Sequence, residues 1–191
     1  MKNLGHRLGA SGTILENTVE GLLKSLDLVS DKRFKYWEFD VRESSDGVLF
    51  AFHDDCIKFN GKMIETRYLS YDEIYRAGES MMISIPTFQQ IMEVLKDREE
   101  RVMIEIKNVH SDSAREFLLR TVSDNEDWML MSTPERFLES FPSETRNLWN
   151  ERARTLRVKL VRVGRHRVDL FKASRYPIGW YFAKPRWFFG F

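Results

Sequence analysis

The chain has 191 residues, of which 42% are hydrophobic and 31% charged, and its net charge is +1. That is the composition of an ordinary soluble globular protein of one domain, long enough to bury a sizeable core. A single cysteine, Cys56, excludes an intramolecular disulfide, and no stretch approaches the roughly 20 apolar residues of a membrane span.

In chain order, a short strand is expected to end at Leu4-Gly5-His6, followed by a glycine- and serine-rich loop from Gly9 to Thr13. Residues 18–30 predict a helix, with Val19, Leu22, Leu23 and Leu26 at helical spacing and Asn17 as its cap. Residues 35–41 and 48–53 predict two strands joined by the turn Ser44-Ser45-Asp46-Gly47. Ser70-Tyr71-Asp72-Glu73 is a capping box for a short helix stopping at Gly78, and Thr87 opens another to about residue 98. A strand over 102–107, a helix from Ser113 to 122 and a strand over 128–131 follow. Pro134 then sits in the first turn of a helix, and 143–153 predicts one more. Strands alternating with helices imply βα units and a largely parallel sheet.

The end of the chain differs. Residues 1–150 carry 19 Lys and Arg against 27 Asp and Glu, whereas 151–191 carry 11 against 2. Three strands, Thr155–Val163, Arg167–Ala173 and Ile178–Ala183, are expected there, too close together for intervening helices. With the five earlier strands they make eight.

Chemistry concentrates on two strands. In Tyr36-Trp37-Glu38-Phe39-Asp40-Val41, side chains alternate, so Glu38 and Asp40 share one face while Trp37, Phe39 and Val41 share the other. In Val102-Met103-Ile104-Glu105-Ile106-Lys107, Glu105 and Lys107 likewise oppose Ile104 and Ile106. Three carboxylates, a lysine and a nearby histidine suit a hard cation and an anionic substrate.

Together, Gly5-His6-Arg7, Glu16-Asn17-Thr18, Glu38-Phe39-Asp40-Val41, Asp46-Gly47-Val48, His53-Asp54, Ile85-Pro86-Thr87 and Glu105-Ile106-Lys107 resemble the glycerophosphodiester phosphodiesterase family, in its order, over about residues 1–135. The resemblance implies an α/β fold, a compact TIM-type (β/α) barrel with its site at the C-terminal strand ends. It implies a single domain over 1–191, with 151–191 as a divergent, basic and aromatic closing segment. It implies one divalent cation, Mg²⁺, Ca²⁺ or Mn²⁺, on Glu38, Asp40 and Glu105. His6 and His53 would be the acid and base, Arg7 and Lys107 would hold the phosphate, and Glu16 and Asn17 would support them from behind. His110 and His166 match nothing in the family. Leu8 stands where the family usually has glycine, Leu15 where it has proline, and Phe59 where an arginine is common.

The expected activity is hydrolysis of glycerophosphodiesters to glycerol phosphate and an alcohol, on a small-molecule substrate rather than a nucleic acid. The alternatives are a barrel that binds phosphate or lipid headgroups without turnover, and a membrane-surface protein using the basic, aromatic tail. The lone cysteine and the absence of a leader before His6 lead us to expect a cytoplasmic protein. Headgroup and oligomeric state are not legible.

Overall fold

Alternation of apolar and charged residues makes the middle of the chain extend, and the strands so formed set out the site. The computed structural model describes residues 3–162. Its strands are β1 (Trp37–Glu43), β2 (Leu49–Ala51), β3 (Cys56–Phe59), β4 (Lys62–Glu65), β5 (Val102–Asn108), β6 (Trp128–Ser132) and β7 (Lys159–Arg162). Its helices are α1 (Val19–Lys24), α2 (Tyr71–Ser80), α3 (Phe88–Leu95), α4 (Asp112–Ser123), α5 (Pro134–Ser140) and α6 (Arg146–Thr155).

Five strands form one sheet in the order β2-β1-β5-β6-β7. The pairs β1–β5, β5–β6 and β6–β7 are parallel, and α4, then α5 and α6, connect the last three strands. This is the alternation of a TIM-type (β/α) barrel, as expected. β2 returns antiparallel along the end of β1, through a turn in which Gly47 takes φ 83° and Asp46 Oδ1 accepts from Ser44 Oγ and from the Tyr71 N–H.

The strand faces separate as the alternation predicts. Trp37, Phe39, Val41, Ile104 and Ile106 lie in the main core, against Phe88 and Ile91 of α3, Leu118 of α4 and Phe137 of α5. Trp37 meets Phe34 edge-on at 4.8 Å, and Phe39 packs on Phe88 at 5.9 Å. The other face carries a small apolar layer of Tyr36, Met103 and Met131, with the charged residues beside it. Val158 is buried and Leu160 packs on the core, but the strand expected from Thr155 begins only at Lys159, because α6 runs on to Thr155.

Several expectations are corrected. Residues 4–6 form turns rather than a strand, because Arg7 and Leu8 adopt φ 50° and 58°, which no extended ladder tolerates. The segment still lies against β1: the Glu38 N–H donates to Gly5 O and the Leu8 N–H to Glu38 O. A Cβ on Gly5 would fall 2.1 Å from Tyr36 O, so glycine permits that approach. The helix expected over 18–30 is α1 plus a 3₁₀ turn, Leu26–Ser30, and its cap is Thr18, whose hydroxyl accepts from the Gly21 N–H. Leu23 is exposed. α2 runs past Gly78 to Ser80, and α4 is capped by Ser111 rather than begun at Ser113. A hairpin that the sequence reading missed, β3–β4, turns at Asn60-Gly61 and packs with α2 over a satellite core of Phe50, Ile57, Ile74 and Ile85. The strands expected over Arg167–Ala173 and Ile178–Ala183, His166 and the aromatic end lie outside the described residues.

Candidate active site

β1 and β5 run parallel in a register that sets Asp40 beside Glu105. With Glu38 two residues back, three carboxylate oxygens, one from each side chain, lie within 4.8 Å of one another, and all three residues are buried. Lys107, one step further along β5, ties two of them: its Nζ is 2.6 Å from Glu105 Oε1 and 3.0 Å from Asp40 Oδ1.

The loop before α1 closes over this cluster. Asn17 grips Asp40 twice, donating from Nδ2 to Oδ2 at 2.8 Å and accepting the Asp40 N–H on Oδ1 at 3.1 Å. That task explains why Asn17 does not cap α1. The Arg7 N–H donates to Glu38 Oε2 at 2.9 Å, while the Arg7 guanidinium pairs with Glu16 at 2.6 Å and lies 3.6 Å from Asp40 Oδ2. Glu16 also accepts the Gly12 N–H, fixing the loop. Burial works against the Arg7 charge, but the Glu16 hydrogen bond and the surrounding carboxylates outweigh it and raise its pKa.

The histidines approach from two sides. His6 Nε2 is 3.6 Å from Glu38 Oε2, and its Nδ1 is hydrogen-bonded to Ser11 Oγ at 2.8 Å. His53 follows β2, pairs through Nδ1 with Asp54 at 2.7 Å, and lines a cleft of about 130 Å³ with Glu105 and Lys107. The structure thus gathers His6, Arg7, Glu16, Asn17, Glu38, Asp40, Glu105 and Lys107 in a chain of direct contacts, and places His53 in a cleft with two of them, Glu105 and Lys107. His110 lies apart, half-exposed, 3.4 Å from Glu43.

The donor set fits a divalent cation. Glu38 Oε1 is buried and has no hydrogen-bond partner among the described residues. Burial, then the neighbouring Asp40 charge, pushes the Glu38 carboxyl well above its usual range, against the Arg7 N–H, which lowers it. Three carboxylates face one lysine and an arginine already paired with Glu16. A hard cation would satisfy the orphaned oxygen and the surplus charge together.

Sequence reasoning missed Arg42, which continues the charged face of β1 beyond Glu38 and Asp40. It is buried, and its guanidinium donates to Phe52 O at 3.1 Å, His53 O at 2.6 Å and Asp55 Oδ1 at 2.8 Å. It therefore fixes the backbone that carries His53. Asp55 is also paired with Arg136 of α5. Burial opposes ionisation of Asp55, yet the hydrogen bonds from Arg136 and Arg42 prevail and lower its pKa. Glu43, fully buried, accepts the N–H groups of His110 and Ser111 and so pins the loop leaving β5. A run of charges at period two, Glu38, Asp40 and Arg42, was the signal for Arg42; nothing in the sequence marked Glu43.

A profile of the glycerophosphoryl diester phosphodiesterase family matches residues 6–173. Among solved structures, the chain is similar to a protein of Silicibacter pomeroyi provisionally assigned as a glycerophosphoryl diester phosphodiesterase: 19% identity, TM-score 0.57, covering 84% of this chain and 63% of that one. A glycerophosphodiester phosphodiesterase from Parabacteroides distasonis is 22% identical at TM-score 0.52, covering 83% and 63%. The glycerophosphoryl diester phosphodiesterase domain of a Mycobacterium tuberculosis protein is 14% identical at TM-score 0.53, covering 88% and 62%. The chain spans less than two thirds of the length of each of these. No curated protein matches it.

Proposed function

The chain belongs to the glycerophosphoryl diester phosphodiesterase family, and from that premise we propose that it hydrolyses a glycerophosphodiester to glycerol phosphate and an alcohol. The observation that carries the proposal is the buried convergence of Glu38, Asp40 and Glu105, with an orphaned oxygen on Glu38 and a lysine against the other two.

Glu38, Asp40 and Glu105 would hold the divalent cation, Mg²⁺, Ca²⁺ or Mn²⁺, and that ion would act as a Lewis acid on a phosphoryl oxygen. Lys107 and Arg7 hold the phosphate and offset the charge that builds on its oxygens. His6 and His53 move protons: one takes a proton from the attacking group, the other gives one to the departing alkoxide. Each ring is held through Nδ1, by Ser11 and Asp54 respectively, and His6 thereby keeps Nε2 beside Glu38. Asn17 and Glu16 keep Asp40 and Arg7 in position.

A second reading, a barrel that binds the phosphate without turnover, is favoured by Leu8, whose side chain is fully buried where a left-handed backbone of φ 58° suits glycine. A membrane-surface role would rest on the tail, which lies outside the described residues; among the described residues no helix is long and apolar enough to cross a membrane.

The test is hydrolysis of glycerophosphocholine with each cation and with excess chelator. Cation-dependent release of glycerol phosphate supports the proposal. Phosphate-competable binding without any release would replace it with the second reading.

A further inference from the structure

The two histidines are held in different ways. His6 lies in the loop that closes over the carboxylates, where its ring meets Ser11 and Glu38. His53 lies between β2 and β3, in residues 52–55, which belong to no helix or strand. Its ring partner, Asp54, has a side chain 71% exposed, so it gives the ring no fixed point in the fold. The ring is therefore placed by the backbone beneath it. Side chains grip that backbone: Arg42 donates to the carbonyls of Phe52 and His53, and Thr66 donates to that of Asp55 through its N–H at 2.9 Å and its hydroxyl at 3.2 Å.

The Asp55 side chain is gripped as well, with one oxygen to each of two arginines. Arg42 of β1 donates to Oδ1, and Arg136 of α5 donates to Oδ2. Both arginines line the polar cleft that His53 shares with Glu105 and Lys107. Arg42 is already committed to two carbonyls, so the second oxygen of Asp55 depends on Arg136. That residue lies 81 positions further along the chain, and it ties the histidine segment to the helix that follows β6. We infer that Arg136 is a positioning residue for His53: by holding Asp55 against Arg42, it sets where the ring stands in the cleft. This rests on the phosphodiesterase reading, in which His53 moves a proton. A group misplaced by about 1 Å can cost about 10²-fold in rate, and the loss of one anchor among several costs less. The pair is partly exposed, with Arg136 at 29% and Asp55 at 50%, so it contributes little to stability.

The test is a cycle of variants assayed on glycerophosphocholine. Arg136→Met should lower kcat about tenfold and leave KM within about twofold. Arg136→Lys, which can still reach one carboxylate oxygen, should recover part of the loss. Glu139→Gln removes the other ion pair of Arg136, at 3.2 Å, and should leave the rate unchanged. In the His53→Ala background, Arg136→Met should lower the residual rate by less than about twofold, because nothing is left to position. An equal fall in both backgrounds, or a raised KM at unchanged kcat, overturns the inference, since Arg136 would then act on the fold at large or on the substrate. NMR follows the ring independently, its Hε1 resonance being identified by its loss in His53→Ala. That resonance should shift or broaden in Arg136→Met and stay in place in Glu139→Gln. A wild-type protein that hydrolyses nothing removes the phosphodiesterase reading, and the resonance then decides alone: displaced in Arg136→Met, it supports the positioning of His53; unmoved, it overturns it.

Discussion

The two faces of β1 and β5 are equally hidden from solvent and chemically opposite. On one, Trp37, Phe39, Val41, Ile104 and Ile106 fit among helices, and each residue is at most 1% exposed. On the other, Glu38, Asp40, Glu105 and Lys107 are at most 6% exposed, and they meet each other. Burial stabilises the first face, because apolar area leaves water. Burial costs stability on the second, because charges leave water and one carboxylate oxygen finds no donor among the described residues. One pair of strands therefore divides the labour, and substitutions on its two faces should move different observables.

The largest separation is expected in turnover. His6→Ala and His53→Ala should each lower phosphodiester hydrolysis by about 10²-fold or more, since each removes a proton-transfer group. Their melting curves should stay within about 0.5 kcal/mol of wild type, as neither side chain is in the core. A variant that melts early in proportion to its lost activity would break the division. The converse is Ile104→Ala, which should cost about 2–5 kcal/mol of stability while the protein that remains folded keeps its specific activity. Chemical denaturation combined with active-site titration distinguishes the two.

A smaller effect, of opposite sign, sharpens the contrast. Without cation, Glu38→Gln should hold or raise stability by about 1 kcal/mol, because it removes a buried charge whose Oε1 is unsatisfied. Added cation at about 100 times its Kd should stabilise wild type by about 2.7 kcal/mol and the variant by much less. Thermal melts with and without cation check both statements.

The smallest effect tests the polar cleft. The fold lowers the Asp55 pKa, so the ionised form favours the native state. That contribution is complete above the unfolded value of 3.8 and is lost as pH falls through the lower folded value. The stability gap between wild type and Asp55→Asn should therefore narrow on acidification from about pH 5 to pH 2. A gap constant over that range would mean that the pairs to Arg42 and Arg136 do not hold this carboxylate.

Both faces were legible because period-two alternation is a strong signal wherever one set of residues is apolar and the other charged. Alternation sets Glu38 with Asp40 and Glu105 with Lys107, the family resemblance joins the two sets, and the parallel register that pairs Asp40 with Glu105 makes them meet. The segment around His6 was not legible. It makes strand-like hydrogen bonds with β1, but Arg7 and Leu8 take positive φ, which neither residue type announces. The β3–β4 hairpin was announced by Asn60-Gly61 and overlooked, because Cys56–Phe59 and Lys62–Glu65 show little apolar alternation. Asn17 looked like a helix cap because asparagine caps helices; its real partner, Asp40, is 23 residues away. Long-range side-chain partners of this kind, Glu43 with the N–H groups of His110 and Ser111 among them, leave no local pattern.

The central claim is that the charged face of β1 and β5 is a cation site, and calorimetric titration of the protein with Mg²⁺, Ca²⁺ and Mn²⁺ tests it most directly. The account predicts one ion per chain for at least one of these metals, with binding lost in Asp40→Asn and kept in Ile104→Val. Binding that survives Asp40→Asn, or no binding of any of the three, would contradict it.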